Sequence, residues 1–185
     1  MNLFEFLMIL LSLIVGLGLA EILAGFARFL KSDGAHAFSW THSAVAAIIL
    51  LALLQTFWES WGLRSIEEWS FPAMLLMLGS PIFLYLIAHV IFPERDQSAS
   101  LEDYYYQRAR LIWALAAMTV IVSTLFRPLA FDMPLWIVDN ASGIPTLAVC
   151  VALSLLSTRW LHRLLVPVVL LIVLLDTLAI SYTIG

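Results

Sequence analysis

Long apolar runs alternate with short polar segments along the chain, and this pattern predicts helices. A membrane-crossing helix needs about 20 mostly apolar residues. Six runs approach or exceed that length: 3–30, 38–63, 71–92, 103–130, 144–157 and 160–183. The fifth is the shortest, and it could be a short span, a tilted span or a half-helix buried in protein. We therefore predict an all-α, polytopic membrane helix bundle of about six transmembrane helices, forming a single domain over residues 1–185.

Residues typical of helix starts support three of these boundaries. Pro72 and Pro145 fall where the third and fifth helices begin, and proline is well tolerated in a first turn because the amide there has no helical partner. Ser100 followed by Asp103 has the spacing of a capping box before the fourth run. These positions predict helix starts near residues 71, 103 and 144.

The composition changes the picture from a helical protein to a membrane protein. The chain is 63% hydrophobic and 12% charged, whereas soluble domains are about 45–50% apolar and about 25% charged. The excess apolar surface is expected to face lipid, so membrane lipids are the predicted partners. The net charge of -4 argues against a nucleic-acid partner, because binding phosphates needs clustered Lys and Arg.

The positive charges predict how the bundle is oriented. With both termini outside, the inner side carries seven of the nine Lys and Arg residues and the outer side two. The seven are Arg28, Lys31, Arg95, Arg108, Arg110, Arg159 and Arg163, and the two are Arg64 and Arg127. Because positive residues concentrate on the cytoplasmic side, we predict that the N-terminus and C-terminus are outside. We expect the protein to be integral to a bacterial inner (cytoplasmic) membrane.

Four polar residues fall within apolar runs at a similar depth in the predicted outer half. Gln55 and Glu59 are four residues apart and so share one face of the second helix. Arg127 and Asp176 lie near the ends of the fourth and sixth helices. Polar groups inside a membrane are costly unless they face the bundle interior. We predict a buried network, which would be either a clamp between helices or an ion or substrate pathway.

A second polar group falls in the predicted inner half. Glu21 borders Gly16, Ala20 and Ala24, whose spacing lets another helix approach closely. We therefore expect Glu21 to point into the bundle and to form a hydrogen bond with a polar residue of the second or third helix. The candidates are His42, Tyr85 and His89.

The histidines also raise the possibility of a metal or haem site. His42, His89 and Glu21 have suitable ligand types, and His36 and His162 are predicted at the same side. No pair of histidines has the i, i+4 spacing that would fix two ligands on one helix face. Metal or haem binding therefore stays an alternative, and no cofactor is predicted.

The segment that opens the fourth helix is typical of a membrane interface. Tyr104, Tyr105 and Tyr106 are expected at headgroup depth, with Arg108 and Arg110 facing anionic lipid. We interpret this segment as a lipid-headgroup anchor.

Two classes of function follow from these features. The first is a channel or proton-linked transporter that uses the buried acids, with a homo-oligomer supplying the pore. The second is a non-conducting assembly or sensor subunit whose polar clusters specify helix packing. Enzyme activity is not favoured, because no nucleophile elbow, phosphate-binding loop or zinc-protease motif occurs in the sequence.

Overall fold

The structure, a computed structural model, is all-helical in the residues that it describes. These are residues 3–31, 39–66, 68–93, 100–135, 140 and 142–179. They form six α-helices: α1 (Leu3–Lys31), α2 (Trp40–Ser60), α3 (Phe71–Val90), α4 (Leu101–Phe131), α5 (Gly143–Leu155) and α6 (Arg159–Ala179). A short 3-10 turn, Trp61–Leu63, extends α2. Five of the helices, all except α5, are long and apolar enough to cross a membrane.

The observed helix ends lie close to the predicted ones where the chain is described. The largest difference is at the end of α2, which tightens into the 3-10 turn instead of continuing to Leu63. The predicted start of the second helix at Phe38 and the predicted end of the sixth at residue 183 fall outside the described residues. The apolar runs therefore predicted the elements of this part of the chain.

Serine side chains cap the N-termini of three of the helices. Ser39 and Ser70 accept from the amides of His42 and Ala73, which satisfies donors that a helix leaves free at its start. Ser100 Oγ accepts from the Asp103 amide at 3.1 Å and donates to its carboxylate at 2.8 Å. The predicted cap at Ser100 is thus confirmed.

Successive helices run in opposite directions, which gives the bundle two distinct ends. At the first end α1, α3 and α5 begin and α2, α4 and α6 finish; we call it the Glu59 end. There Phe4 of α1 packs edge-on against Trp61. At the opposite end, the His42 end, Tyr104 of α4 donates to the Val90 carbonyl at the finish of α3. The first and last described residues, Leu3 and Ala179, therefore both lie at the Glu59 end.

The positive charges follow the same division. Six of the seven residues predicted at the inner side lie in the helical turns of α1, α4 and α6 nearest the His42 end. The seventh, Arg95, lies outside the described residues. Arg64 and Arg127 lie at the Glu59 end. Which end faces the cytoplasm stays a prediction.

The face that α1 turns to the bundle differs from the predicted one. Gly16, Ala20 and Ala24 are exposed. Gly18 and Gly25 face the bundle instead: a methyl group on Gly25 would overlap the ring of Phe92, and one on Gly18 would lie 2.9 Å from Leu53. Ile22, which lies between these two glycines, is fully buried. The face of α1 that closely approaches its neighbours is therefore the one that carries Gly18, Ile22 and Gly25.

Helix α5 is short, with 13 residues. At about 1.5 Å per residue it spans about 20 Å, less than the roughly 30 Å of a hydrocarbon core. It packs along α4, and Cys150 and Leu153 on that helix are buried. Helix α5 therefore forms part of the wall of the bundle without being long enough to cross a bilayer on its own.

Candidate functional site

A polar cavity occupies the half of the bundle at the Glu59 end. Its volume is about 460 Å³, within the range of about 300–1,000 Å³ typical of small-molecule pockets. Its walls come from α2, α3, α4, α5 and α6. It extends from Gly62 and Asn140 at the end of the bundle to Ala52 and Leu84 near the middle. Glu59 and Ala52 are seven residues apart, so the cavity is roughly 10 Å deep along α2.

All four polar residues predicted for this half line the cavity. They are Gln55, Glu59, Arg127 and Asp176, contributed by α2, α4 and α6. Gln55 donates its side-chain amide to the Glu59 carboxylate at 2.9 Å, as their spacing on one helix face allows. All four side chains are half-buried. The structure thus gathers these residues around one space and leaves them partly open to it.

Hydroxyl and amide residues that were not predicted from the sequence line the same cavity. They are Thr56, Ser60, Ser80, Thr119, Ser123, Thr124, Asn140, Ser142 and Thr146. A signal for some of them was present, since Thr119, Ser123 and Arg127 lie at i, i+4 and i+8 of α4 and so share one face. In a membrane helix, such a stripe of hydroxyls leading to a charged residue indicates a polar surface.

The start of α5 approaches α4 closely at the cavity wall. A methyl group added to Gly143 would lie 2.6 Å from the hydroxyl of Thr124, so only glycine allows this approach without a shift. Asn140 then reaches over and donates to the carbonyls of Thr124 and Leu135, at 3.3 and 2.9 Å. These contacts hold Asn140 at the mouth of the cavity.

The half of the bundle at the His42 end is closed by a buried hydrogen-bonded chain, the Tyr105 network, which consists of Trp113, Tyr105 and His162. Trp113 Nε1 donates to the Tyr105 hydroxyl at 2.8 Å, and that hydroxyl lies 2.8 Å from His162 Nδ1. His162 Nε2 lies 2.9 Å from the Leu156 carbonyl. Because a carbonyl only accepts, Nε2 carries a hydrogen, and in the neutral ring Nδ1 then accepts from Tyr105. The network joins α4 to α6 and to the turn after α5.

Two more side chains at this end satisfy the last carbonyls of α3. His42, which is 2% exposed, lies with Nε2 3.0 Å from the Ile91 carbonyl. The Tyr104 hydroxyl shares its one hydrogen between the carbonyls of Val90 and Phe92, at 3.0 and 3.3 Å. A helix finish buried in protein needs such partners, because its carbonyls have no amides left within the helix. These contacts explain why both rings point inward.

One prediction and one alternative considered for this end do not fit the structure. Tyr104 and Tyr105 do not face headgroups, because both are buried. Nor do His42, His89 and Glu21 form a metal site: His42 bonds with a backbone carbonyl, and no three His, Cys, Asp or Glu side chains come close enough to hold a metal in the part of the chain that the structure describes. His36 lies outside that part.

Glu21 forms a cross-helix contact at the edge of the bundle. Its carboxylate lies 3.1 Å from His89 Nδ1 on α3, and the ring of Tyr85 stacks against that of His89. The expected hydrogen-bond partner on α3 is present. The Glu21 side chain is 32% exposed and that of His89 62%, so Glu21 is half-buried and is not enclosed within the bundle. This pair is outside the polar cavity.

The first turns of α4 and α6 are tied together at the surface of the His42 end. Arg159 and Arg163 pair with Asp103 and Glu102 at 2.9 and 2.8 Å. The Arg159 guanidinium lies over the aromatic ring of Tyr106, 5.0 Å from the centre of that ring. Two further arginines of α4, Arg108 and Arg110, are exposed, and their contact with anionic lipid stays a prediction.

Comparison with protein-family models, with curated proteins and with solved structures finds nothing that matches this chain.

Proposed function

We propose that the protein is a small integral membrane transport protein, which admits a solute through the polar cavity at its Glu59 end. The observation that carries this proposal is the cavity itself: about 460 Å³ of space, with polar side chains from five helices in its walls, that reaches the middle of the bundle. The helical bundle with its five long apolar helices is compatible with a membrane protein. Within a bilayer, polar and charged side chains that share a cavity mark a pathway for ions or substrates.

The two halves of the bundle support a pathway that is open on one side at a time. The cavity stops near Leu84 and Ala52, whereas Tyr105, Trp113 and His162 are at most 2% exposed. Passage across the whole bundle would therefore require the helices around the Tyr105 network to move apart. A hydrogen-bonded chain suits such a step, because its bonds can be exchanged for bonds with water when the closed half opens.

Flux through proteoliposomes tests this proposal. Four probes of different charge are used, namely potassium, chloride, guanidinium and glycerol, and vesicle swelling is followed by light scattering. We expect at least one probe to enter faster than it enters protein-free vesicles. The side of entry, the predicted inner-membrane location and the predicted homo-oligomer remain proposals that this measurement does not require.

A matched pair of cysteine variants links any flux to the cavity. Cys150 is the only cysteine, so a Cys150→Ala background leaves one reactive thiol per variant. Thr119→Cys places a thiol in the cavity, and Met118→Cys places one on the exposed side of the same helix. A bulky maleimide should block flux in Thr119→Cys and leave Met118→Cys unchanged. If no probe crosses faster than through protein-free vesicles, or if both variants respond alike, the transport proposal is rejected.

One observation favours a second candidate, the non-conducting assembly or sensor subunit. Every buried side-chain nitrogen and oxygen within the described residues has a hydrogen-bond partner, as expected for polar groups that only specify packing. That function needs no cavity reaching the middle of the bundle, which is why transport is the proposal favoured here. The flux measurement separates the two.

A further inference from the structure

We infer that His162 is a proton-binding site, and that uptake of one proton by its ring opens the closed half of the bundle at the His42 end. The inference rests on the proposed function and deepens it, since this opening is the step that passage across the bundle requires. It comes from the number of hydrogens in the Tyr105 network and from the charges around it.

The two ends of the Tyr105 network fix the direction of every bond within it. The indole of Trp113 only donates, and the carbonyl of Leu156 at the other end only accepts. Between them, Tyr105 and a neutral His162 each bring one hydrogen. The three bonds of the network therefore use three hydrogens, and no hydrogen is left over.

A second hydrogen on the His162 ring does not fit these bonds. Both ring nitrogens would then donate, so Nδ1–H would point at the Tyr105 oxygen, 2.8 Å away. That oxygen could accept from both the ring and Trp113, but its own hydrogen would lose Nδ1 as acceptor. Within the described residues the Tyr105 hydroxyl has no other bonded acceptor. Because the three side chains are at most 2% exposed, water does not replace the lost bond while this half is closed.

Aromatic rings also enclose the place where the added charge would lie. The rings of Tyr105 and Tyr106 are edge-on to that of His162, with centroids 5.7 and 5.5 Å from it, and His162 is 0% exposed. A positive charge in such a place is strongly disfavoured unless a carboxylate pairs with it.

The carboxylates near His162 are already paired with arginines. Asp103 pairs with Arg159 at 2.9 Å, and Glu102 pairs with Arg163 at 2.8 Å. These two arginines are close neighbours of His162 along α6. The formal charges of the four groups cancel, so a protonated His162 adds a positive charge that none of them balances.

The other helices that pack against α6 supply no acid at this end. They are α2 and α5. The titratable group of α2 at this end is His42, whose Nε2 lies against the Ile91 carbonyl, while Glu59 lies at the opposite end. The titratable group of α5 is the buried Cys150 thiol. The closed half therefore holds His162 best when its ring is neutral.

Proton binding and opening are linked for this reason. When the helices around the Tyr105 network separate, water hydrates the imidazolium and accepts the additional hydrogen. The open form then binds the proton more tightly than the closed form, so the proton favours the open form. An imidazole in water takes up its proton at about pH 6.5. Above that pH the closed form is fully favoured, and below it the ratio of open to closed molecules should rise by up to about tenfold per pH unit.

Cysteine accessibility at two pH values tests the inference. Ala109 lies four residues from both Tyr105 and Trp113 and is 4% exposed, so Ala109→Cys in the Cys150→Ala background reports on the closed half. Its reaction with a charged, membrane-impermeant methanethiosulfonate in nanodiscs is divided by that of Ser123→Cys at the same pH, which corrects for the effect of pH on thiol reactivity. We expect protection at about pH 8 and a relative rate that rises severalfold, up to about tenfold, at about pH 5.5.

Two matched histidine variants locate the proton. Glutamine offers an acceptor oxygen and N–H donors but takes up no proton, so His162→Gln should leave Ala109→Cys protected at both pH values. His89→Gln is the control, because His89 is an exposed histidine at the same end, and the rise at low pH should persist in it. The inference is wrong if the parent is protected at both pH values, if His162→Gln responds as the parent does, or if His89→Gln alone abolishes the response.

Nitrogen-15 spectra of the histidine-labelled parent give a second test that needs no change at position 162. One of the four histidine rings should carry its hydrogen on Nε2 alone at about pH 8 and gain the second over the pH range in which Ala109→Cys becomes reactive. Protonation of every ring without a change in accessibility would refute the inference. Flux with a thiol protected at both pH values would leave the transport proposal standing without the proton site. Opening at low pH without flux would keep the proton site and reject transport.

Discussion

The two halves of this bundle use polar side chains in opposite ways. At the His42 end, five aromatic side chains are nearly or fully buried, and each bonds to another side chain or to a backbone carbonyl: His42, Tyr104, Tyr105, Trp113 and His162. At the Glu59 end, carboxylates, a guanidinium and hydroxyls are half-buried around an open cavity. Polar residues within apolar helices therefore serve two different structural roles in this bundle. Those that fill space hold helices together, and those that surround space leave a polar surface open in the cavity.

Tryptophan substitutions should separate the halves most strongly. Trp113 is 2% exposed and Trp58 is 50% exposed. Trp113→Ala should lower the free energy of unfolding in detergent by about 3–5 kcal/mol, because it empties a large buried site. Trp58→Ala should lower it by less than about 1 kcal/mol. Equal losses in a denaturant titration would contradict the division into a packed half and an open half.

Removing one hydroxyl should have the next largest effect. Tyr105→Phe leaves the buried indole N–H of Trp113 and the buried His162 ring without their shared hydrogen-bond partner, which should cost about 1–3 kcal/mol. Tyr106→Phe is the control, since that hydroxyl donates to the Arg159 carbonyl at 3.3 Å at the surface, and its loss should cost less than about 0.5 kcal/mol. Thermal unfolding of both proteins checks this. A Tyr105→Phe variant as stable as Tyr106→Phe would show that the Tyr105 network does not hold the closed half.

Two glycines of α1 test how tightly the closed half is packed. Gly25→Ala forces a methyl group into the ring of Phe92, so we expect a loss of about 1–3 kcal/mol from overpacking. Gly16→Ala meets no atom within 4 Å and should be neutral or slightly stabilising, because alanine favours the helix. If Gly25→Ala behaves like Gly16→Ala in the same unfolding experiment, α1 does not pack against Phe92 as described.

The smallest effect on stability is expected in the open half. Glu59→Gln and Asp176→Asn should each change the free energy of unfolding by less than about 1 kcal/mol, because half-exposed charges contribute little. A loss of several kcal/mol in either variant would indicate a sealed clamp, which is the packing alternative.

The sequence predicted the elements of this bundle better than their faces. Apolar runs, Pro72 and the Ser100 cap located the helices because the length needed to cross a bilayer and the unpaired amides of a first turn are local properties. The faces were harder, since a membrane helix is apolar both toward lipid and toward its neighbours. Gly16, Ala20 and Ala24 have the spacing of a packed seam, yet Gly18 and Gly25 form it.

The polar cavity and the Tyr105 network could also be predicted from the sequence only in part. Gln55, Glu59, Arg127 and Asp176 could be grouped because each is a strongly polar residue inside an apolar run at a similar depth. The contact between Tyr105 and His162, 57 residues apart, could not be predicted, because tyrosine and histidine near a helix start are equally typical of a membrane interface.

Cysteine accessibility along α4 is the most direct test of the central claim, that water reaches the middle of the bundle from the Glu59 end only. In the Cys150→Ala background, Ser123→Cys lies in the cavity and Ala109→Cys in the closed half, where Ala109 is 4% exposed. Nanodiscs expose both ends to a membrane-impermeant, positively charged methanethiosulfonate. We expect Ser123→Cys to react in the folded protein and Ala109→Cys to react only after unfolding in SDS. Equal reaction of the two thiols in the folded protein, or protection of Ser123→Cys, would contradict the account.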